Sequence, residues 1–542
     1  MSEATNPETP LVNWVLNGQP VQSPAGMTIF EAAKALETTI PNFCYHPGLT
    51  IAGNCRICMV ESNRSKKPVI SCSERIAEGL EIQTESPMAI EARNAVMEFQ
   101  LINHPLDCPV CDKAGECDLQ DYSYDHGPDR SRFDEEKNIR HTKELGPTID
   151  IWGNRCIVCT RCVRFCDEIS GTGELCVVER GDRSVVDVFP TVPIDNPLAG
   201  NVVDICPVGA LISNDFKFEA RIWNMRKTDS VCAGCARGCN VEVQSLDGFV
   251  KRLVPRENME VNKWWMCDEG RYDYRYLLAD ERVTACTKDG EPVEDHDAHE
   301  TLAHWLQDPG GTLGILVDPY ITCEEAFLVE QIASHANNAL VGGWKPADGT
   351  AQSFPGQFTI SGEKAPNRLG VEAVLGKLVF GSQGHALRTA LEKGQVSTLI
   401  VFAGFPHPDP DDAWVQAIRK AKRRAVFALQ AGAWTEGAGL VIPGASPFEK
   451  DGTYANEDGR LQRVRSFHAP GDVEWSHDLQ RLQAVLRIAG LRPRSLSSSA
   501  VFRELADVKK PFHGLSHSTL PATGAPLPGF IPLPVGVEGG SV

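Results

Sequence analysis

No stretch of the 542 residues approaches the roughly 18 uninterrupted apolar residues that could span a bilayer, so membrane attachment is expected only through a partner. Basic charge is also short. Against 72 Asp and Glu stand 53 Lys and Arg, a net charge of −19, and nothing offers the basic stripe that phosphate neutralisation needs, so nucleic acid is excluded as a partner. The opening MSEATNPETP has neither the basic-then-apolar pattern of a secretory signal nor the Arg-rich pattern of a transit peptide, which gives the expectation of a bacterial cytoplasmic protein. No G-x-G-x-x-G fingerprint follows a strand-like run and no P-loop is present, so this chain is not expected to bind NADH itself. Gly310-Gly311 reads as a turn. Cysteine is nearly absent from the back half: of 19, only Cys323 lies beyond position 286.

What is present is therefore a cysteine-rich front, and clustered C-x-x-C spacing in a cytosolic context reads as metal ligation before disulfides. Length alone predicts about three or four domains. Residues 14–16 and 20–22 flank Asn17-Gly18, a pair suited to a tight hairpin turn, and Thr28 with Glu31 has capping-box spacing for a helix to about 37. Ser86-Pro87 predicts a helix reaching about 102. Residues 104–211, rich in Cys, Pro, Gly and Asp, read as loops wrapped around inserted cofactors and dependent on metal for folding. Beyond 290, strand-like runs at 312–317, 398–402 and 425–429 alternate with helical stretches at 324–336, 385–393 and 411–423. Thr322 and Glu325 form a second capping box, and Gly394 stands at a helix stop, so a parallel sheet covered by helices is expected. The tail after 511 reads as extended or disordered.

Four ligand sets emerge. The first, Cys44, Cys55, Cys58 and Cys72, is spaced like a plant-type ferredoxin with a lengthened first loop and reads as [2Fe-2S], with zinc as the alternative for the same residues. The second is His104, Cys108, Cys111 and Cys117, where three cysteines closely follow a histidine. A neutral imidazole in place of a thiolate makes this site less negative and alters its potential. The third is Cys156, Cys159 and Cys162, a C-x2-C-x2-C run, completed by Cys206-Pro207 as in a bacterial [4Fe-4S] ferredoxin. The fourth is Cys232, Cys235, Cys239 and Cys267. Sixteen ligands thus serve four tetradentate sites, giving one [2Fe-2S] and three [4Fe-4S] clusters. Cys166, Cys176, Cys286 and Cys323 remain as buried or inert thiols. Arg155, Arg161 and Arg164 flank the third set and are candidates to offset its charge. Trp264 and Trp265 are expected to shield the fourth cluster, and the charge run 129–140 to be a solvated loop or a docking surface.

These sets in this order, with His104 and the phrase GNVVDICPVGAL at 200–211, make residues 12–280 resemble the large iron–sulfur subunit of respiratory complex I, the NuoG-type family of NADH-quinone oxidoreductase. The resemblance implies an α+β and α/β multidomain chain. Its expected parts are a [2Fe-2S] ferredoxin-like β-grasp at 1–90, a His/Cys3 [4Fe-4S] domain at 91–150, a [4Fe-4S] ferredoxin-like domain at 151–225 and a molybdopterin-oxidoreductase-type [4Fe-4S] domain at 226–285. A shortened molybdopterin-oxidoreductase-like α/β domain at 286–510, matched best at PGASPFEKDGTYANEDG (443–459), and the tail at 511–542 complete it. It further implies electron transfer from NADH, through a flavin-bearing subunit, towards quinone-side iron–sulfur subunits, peripherally on the cytoplasmic face of the bacterial inner membrane. The fourth cluster is expected off the main path. After Cys267 an active formate dehydrogenase-like enzyme would show Lys-Gly where this chain has Asp268-Glu-Gly-Arg271, so no molybdopterin and no substrate-converting site are expected. An electron-transfer subunit of an NAD-linked hydrogenase or formate dehydrogenase is the alternative, and a redox-silent zinc scaffold a third reading.

Overall fold

The computed structural model describes residues 9–336, 338–403, 410–468, 478–491 and 497–528. They form two compact units, one holding the residues up to Met225 with Phe354–Gln357, the other Arg226–Ser353 with the residues from Phe358 on.

In the first unit, strands Leu11–Leu16 and Gln19–Pro24 form an antiparallel hairpin in which Leu16 faces Gln19. Asn17 and Gly18 turn it with φ of 51° and 81°, the left-handed pair that these residues adopt at least cost. The hairpin belongs to a five-stranded sheet with Glu81–Gln83, Met59–Ser62 and Val69–Ile70. Helix Ile29–Ala35, started by the reciprocal Thr28–Glu31 capping box, puts Ile29, Ala32 and Ala33 into one core with Trp14, Val60 and Ile82. Helix Pro87–Leu101 follows, its first turn capped by Ser86, whose hydroxyl accepts from Ala89 N at 3.2 Å. From 104 to 213 regular structure is sparse: helix Asp118–His126, a sheet of Thr142–Glu144, Ile149–Trp152 and Leu211–Ser213, and the pair Leu175–Val178 with Val185–Val188.

The second unit opens with three antiparallel strands, Arg226–Val231, Asn240–Leu246 and Phe249–Pro255. Its main body is a seven-stranded sheet. Leu440–Pro443, Arg423–Ala428, Val396–Ala403, Thr312–Val317 and Ala339–Gly343 run parallel in that order, and the hairpin Thr287–Lys288 with Glu291–Pro292 closes one edge. Ile315, Ile400 and Phe427 face one apolar core while Leu316, Val401 and Val426 face another, so the strands are buried on both sides, as a helix-covered parallel sheet requires. Helix Cys323–His335 begins at the Thr322–Glu325 capping box, and Gly394 follows helix Gly384–Glu392 with φ 67°.

Val231 and Ala233 share a buried cluster with Tyr320, Tyr454 and Val464, so 226–285 and the α/β region lie in one compact unit. Residues 511–528 are not a loose tail. Phe512, Leu520 and Leu527 are buried, and Ala525–Pro526 pairs with strand Arg460–Val464; the remainder of the expected tail lies outside the described residues. The 443–459 phrase turns inward as a polar framework. Lys450 Nζ stands 3.0 Å from both Glu325 and Asp478, all three buried, and Thr453 N donates to Glu324 at 2.9 Å.

Candidate functional site

In the first set all four thiols are buried. Cys58 precedes strand Met59–Ser62 and Cys72 follows Val69–Ile70, and Ser71 joins them, its hydroxyl donating to Cys58 O at 2.7 Å. Cys44 contacts Cys55 and Cys72, and those contacts with the N–H groups of Cys55 and Asn54 outweigh burial and hold its thiol well below the ordinary value. The contacts with Cys44, joined by Cys58 for Cys72, and then burial push Cys55 and Cys72 upward. Crowded, buried sulfurs of this kind call for a bound cation, which deprotonates thiols outright.

The second set has Cys111 and Cys117 buried and Cys108 exposed. Burial, with Arg155 and Lys137 nearby, lowers His104 to about 4, so near neutral pH its imidazole is neutral and can act as a ligand. Burial raises Cys117 to about 11. A Cβ on Gly209 would stand 2.2 Å from Cys111 Sγ, so the residue three places after Cys206 must be small for the second set to form.

In the third set Val158 and Thr160 take left-handed φ of 50° and 63°, which bends the C-x2-C-x2-C run around its sulfurs. Val158 N donates to Cys156 Sγ at 3.4 Å. Burial pushes Cys156 up to about 11, Cys159 to about 12 and Cys162 further still. Such thiols remain protonated unless a metal takes the proton's place.

The three arginines do more than flank one set. Arg161 donates to Ile205 O at 3.1 Å and to Tyr45 O at 2.7 Å, joining the neighbour of Cys206 to the neighbour of Cys44. Arg164 donates to Cys44 O at 2.6 Å, to Cys159 O at 3.5 Å and to Thr50 O, and so links the same two loops. Arg155, expected at the third set, instead turns to the second: its Nε pairs with Asp107 at 2.9 Å, and its charge acts on His104, Cys111 and Asp112. Neighbouring ligand loops are thus tied by guanidinium bridges, which are rigid and always charged.

In the fourth set Cys232, Cys235, Cys239 and Cys267 all line one cavity, together with Gly234, Met266, Glu269, Gly270 and Lys364. Cys232 N donates to Cys239 O at 2.8 Å, and Gly270 N to Cys267 Sγ at 3.4 Å. A Cβ on Gly270 would meet Cys232 Sγ at 2.7 Å. Met266 lines this cavity, while Trp264 and Trp265 pack edge to face on each other at 6.0 Å. Sequence reasoning missed Lys364. Its Nζ pairs with Glu269 at 2.6 Å and brings a positive charge to the cavity from 97 residues beyond Cys267. Among the described residues no three Cys, His, Asp or Glu side chains converge at the distances one metal ion requires.

The leftover thiols have other partners. Cys166 is buried and accepts from Leu175 N, Cys176 donates to Asp187 O at 3.6 Å, Cys286 to Asp295 at 3.1 Å and Cys323 to Asn367 at 3.8 Å. In the charge run, Arg132 pairs with Glu98, and Lys137 donates to the last carbonyls of helix Pro87–Leu101, Leu101 O among them at 2.9 Å.

Four family models match in series: a 2Fe-2S iron–sulfur cluster binding domain at 10–87, the NADH-ubiquinone oxidoreductase-G iron–sulfur binding region at 93–132, the ferredoxin-like domain of NADH-quinone oxidoreductase subunit 3 at 146–212 and the molybdopterin oxidoreductase Fe4S4 domain at 225–278. The mitochondrial NADH dehydrogenase [ubiquinone] iron–sulfur protein 1 of Solanum tuberosum is 46% identical over 269 residues, 50% of this chain and 36% of the relative. The NuoG-type NADH-quinone oxidoreductase protein of Rickettsia bellii is 42% identical over 264 residues, 49% of this chain and 39% of the relative. One chain of an NAD+-reducing [NiFe]-hydrogenase crystal structure, 31% identical, matches over 39% of this chain and 91% of its own length with a TM-score of 0.36. The matched region spans less than two-fifths of the Solanum and Rickettsia relatives' own length. Over residues 10–278 the chain is accordingly similar to NuoG-type iron–sulfur proteins of the NADH-quinone oxidoreductase family.

Proposed function

We propose that this chain is an iron–sulfur electron-transfer subunit of respiratory complex I, passing electrons that a flavin-bearing partner takes from NADH towards quinone-side iron–sulfur subunits. Its ligands are the sixteen side chains of the four sets, Cys44, Cys55, Cys58 and Cys72 for [2Fe-2S] and the other three sets for [4Fe-4S]. When bound, each cluster takes up and releases one electron at a potential set by ligand charge, hydrogen bonds and exposure. The donor sets fit: soft thiolates with one neutral imidazole, Gly209 and Gly270 placed where any Cβ would strike a ligand sulfur, and four thiols around one cavity in the fourth set. The chain's own work is positional. Arg161 and Arg164 fix the first and third ligand loops against each other, Arg155 and Asp107 fix the third against the second, and burial keeps water from the sulfurs other than the exposed Cys108 and the half-buried Cys156.

The observation that carries the reading is this cross-linking of three consecutive ligand sets within one compact unit, which holds redox centres at constant separation. We place the protein peripherally on the cytoplasmic face of a bacterial membrane; among the described residues no helix is long and apolar enough to cross one. The back half reads as a shortened molybdopterin-oxidoreductase-like domain without molybdopterin, supported by its helix-covered parallel sheet and by Asp268-Glu-Gly where Lys-Gly would stand. The test is reduction by NADH. The isolated chain should stay oxidised in NADH, whereas its complex with the flavin-bearing partner should bleach and become paramagnetic. Bleaching of the isolated chain, or clusters that stay oxidised in a complex that does oxidise NADH, would refute the assignment.

A further inference from the structure

Arg155 precedes the first ligand of the third set, yet its side chain serves the second. The residue is 1% exposed, its guanidinium lies over the Trp152 ring at 4.0 Å, and Nε is taken by Asp107 at 2.9 Å. Nη1 and Nη2, with four N–H donors between them, are buried and have no hydrogen-bond partner among the described residues. A guanidinium cannot shed its proton to escape this position, and buried donors are rarely left unmade. Something must accept from that edge. Asp107, which holds Nε, immediately precedes Cys108, so the guanidinium is anchored at the second set.

We propose that Nη1 and Nη2 of Arg155 donate N–H···S hydrogen bonds to the sulfides or thiolates of the cluster held by His104, Cys108, Cys111 and Cys117, raising its potential. The inference rests on the cluster assignment above. Asp107 sets the orientation: by occupying Nε it turns the opposite edge of the fork inward, and stacking on Trp152 removes the remaining rotation. The positive charge adds to the effect of the neutral imidazole, since both favour the more negative, reduced cluster. Arg155 is thus both a cofactor contact and a tie between two ligand loops.

The full-length protein, purified anaerobically, tests this. In the unsubstituted chain labelled with 15N-arginine, ENDOR (electron–nuclear double resonance) of the reduced second cluster should show exchangeable protons and coupled arginine nitrogen. In Arg155→Met these couplings should vanish and the midpoint of that cluster should fall, with Arg155→Lys between, while the [2Fe-2S] midpoint stays in place. A second cluster that assembles in Arg155→Met with its midpoint and couplings unchanged would overturn the proposal. Should Arg155→Met fail to assemble that cluster, the labelled unsubstituted protein decides: coupling supports the contact, and its absence sinks it. Failure of the parent reading is separately visible, as missing iron in the unsubstituted chain before any variant is made.

Discussion

Two regions of the molecule solve the problem of burial differently. In residues 104–212 the regular elements are short, and six buried cysteines, Cys111, Cys117, Cys159, Cys162, Cys166 and Cys206, lie among the buried apolar side chains. In the α/β region Leu313, Ile315, Ile400 and Phe427 on one sheet face, and Leu316, Val401 and Val426 on the other, form continuous cores. Small loop-rich folds gain their stability from ligation, whereas a doubly covered sheet gains it from apolar area removed from water. Residues 104–212 are therefore expected to be only as stable as their clusters, and the α/β sheet to be indifferent to them.

The most forceful way to break this contrast is to remove the metal. Anaerobic chelation followed by hydrogen–deuterium exchange should abolish amide protection across 104–212 and leave strands Thr312–Val317 and Val396–Ala403 protected. Equal loss in both would end the comparison. Next in size is Lys450→Met. It strands Glu325 and Asp478 in the interior and should cost about 3–5 kcal/mol in denaturant unfolding of the second unit, with the iron of the first three sets retained.

A third effect is pH-dependent. Burial raises Glu449, but His468, Arg282 and the Ser446 N–H outweigh it and hold the carboxyl at about 2. Because the folded value is depressed, the stability it supplies is complete above the unfolded value near 4.5 and is lost as pH falls through about 2. The loss should approach about 3 kcal/mol, and Glu449→Gln should flatten that acid limb in calorimetry. The smallest effect is Ser86→Ala, which removes the cap of helix Pro87–Leu101 and should cost about 1 kcal/mol without moving any cluster potential.

Local chemistry was legible in the sequence wherever it was self-sufficient. Asn17-Gly18, the Thr28 and Thr322 capping boxes, Ser86-Pro87 and the apolar runs at 312–317 and 425–429 each specify their element through neighbours in the chain, and the elements stand within a few residues of expectation. What stayed hidden depends on distant partners. Nothing near Arg155 in the sequence says that its fork turns to the second set, because Asp107, 48 residues away, decides it. Lys364 reaches the fourth cavity only through the fold of its unit, and the PGASPFEKDG phrase acquires meaning only when Lys450 meets Glu325 and Asp478. The Pro- and Gly-rich composition after 511 suggests a loose tail, yet three buried apolar side chains and the pairing of Ala525–Pro526 with strand Arg460–Val464 anchor residues 511–528. The sixteen proposed ligands, by contrast, were legible from their spacing in the chain.

The most direct test of the central claim is metal content with spectroscopy on the chain purified anaerobically. One [2Fe-2S] and three [4Fe-4S] clusters predict a brown protein with about fourteen irons per chain and a paramagnetic signal on dithionite reduction. A colourless protein holding stoichiometric zinc and no iron would contradict it.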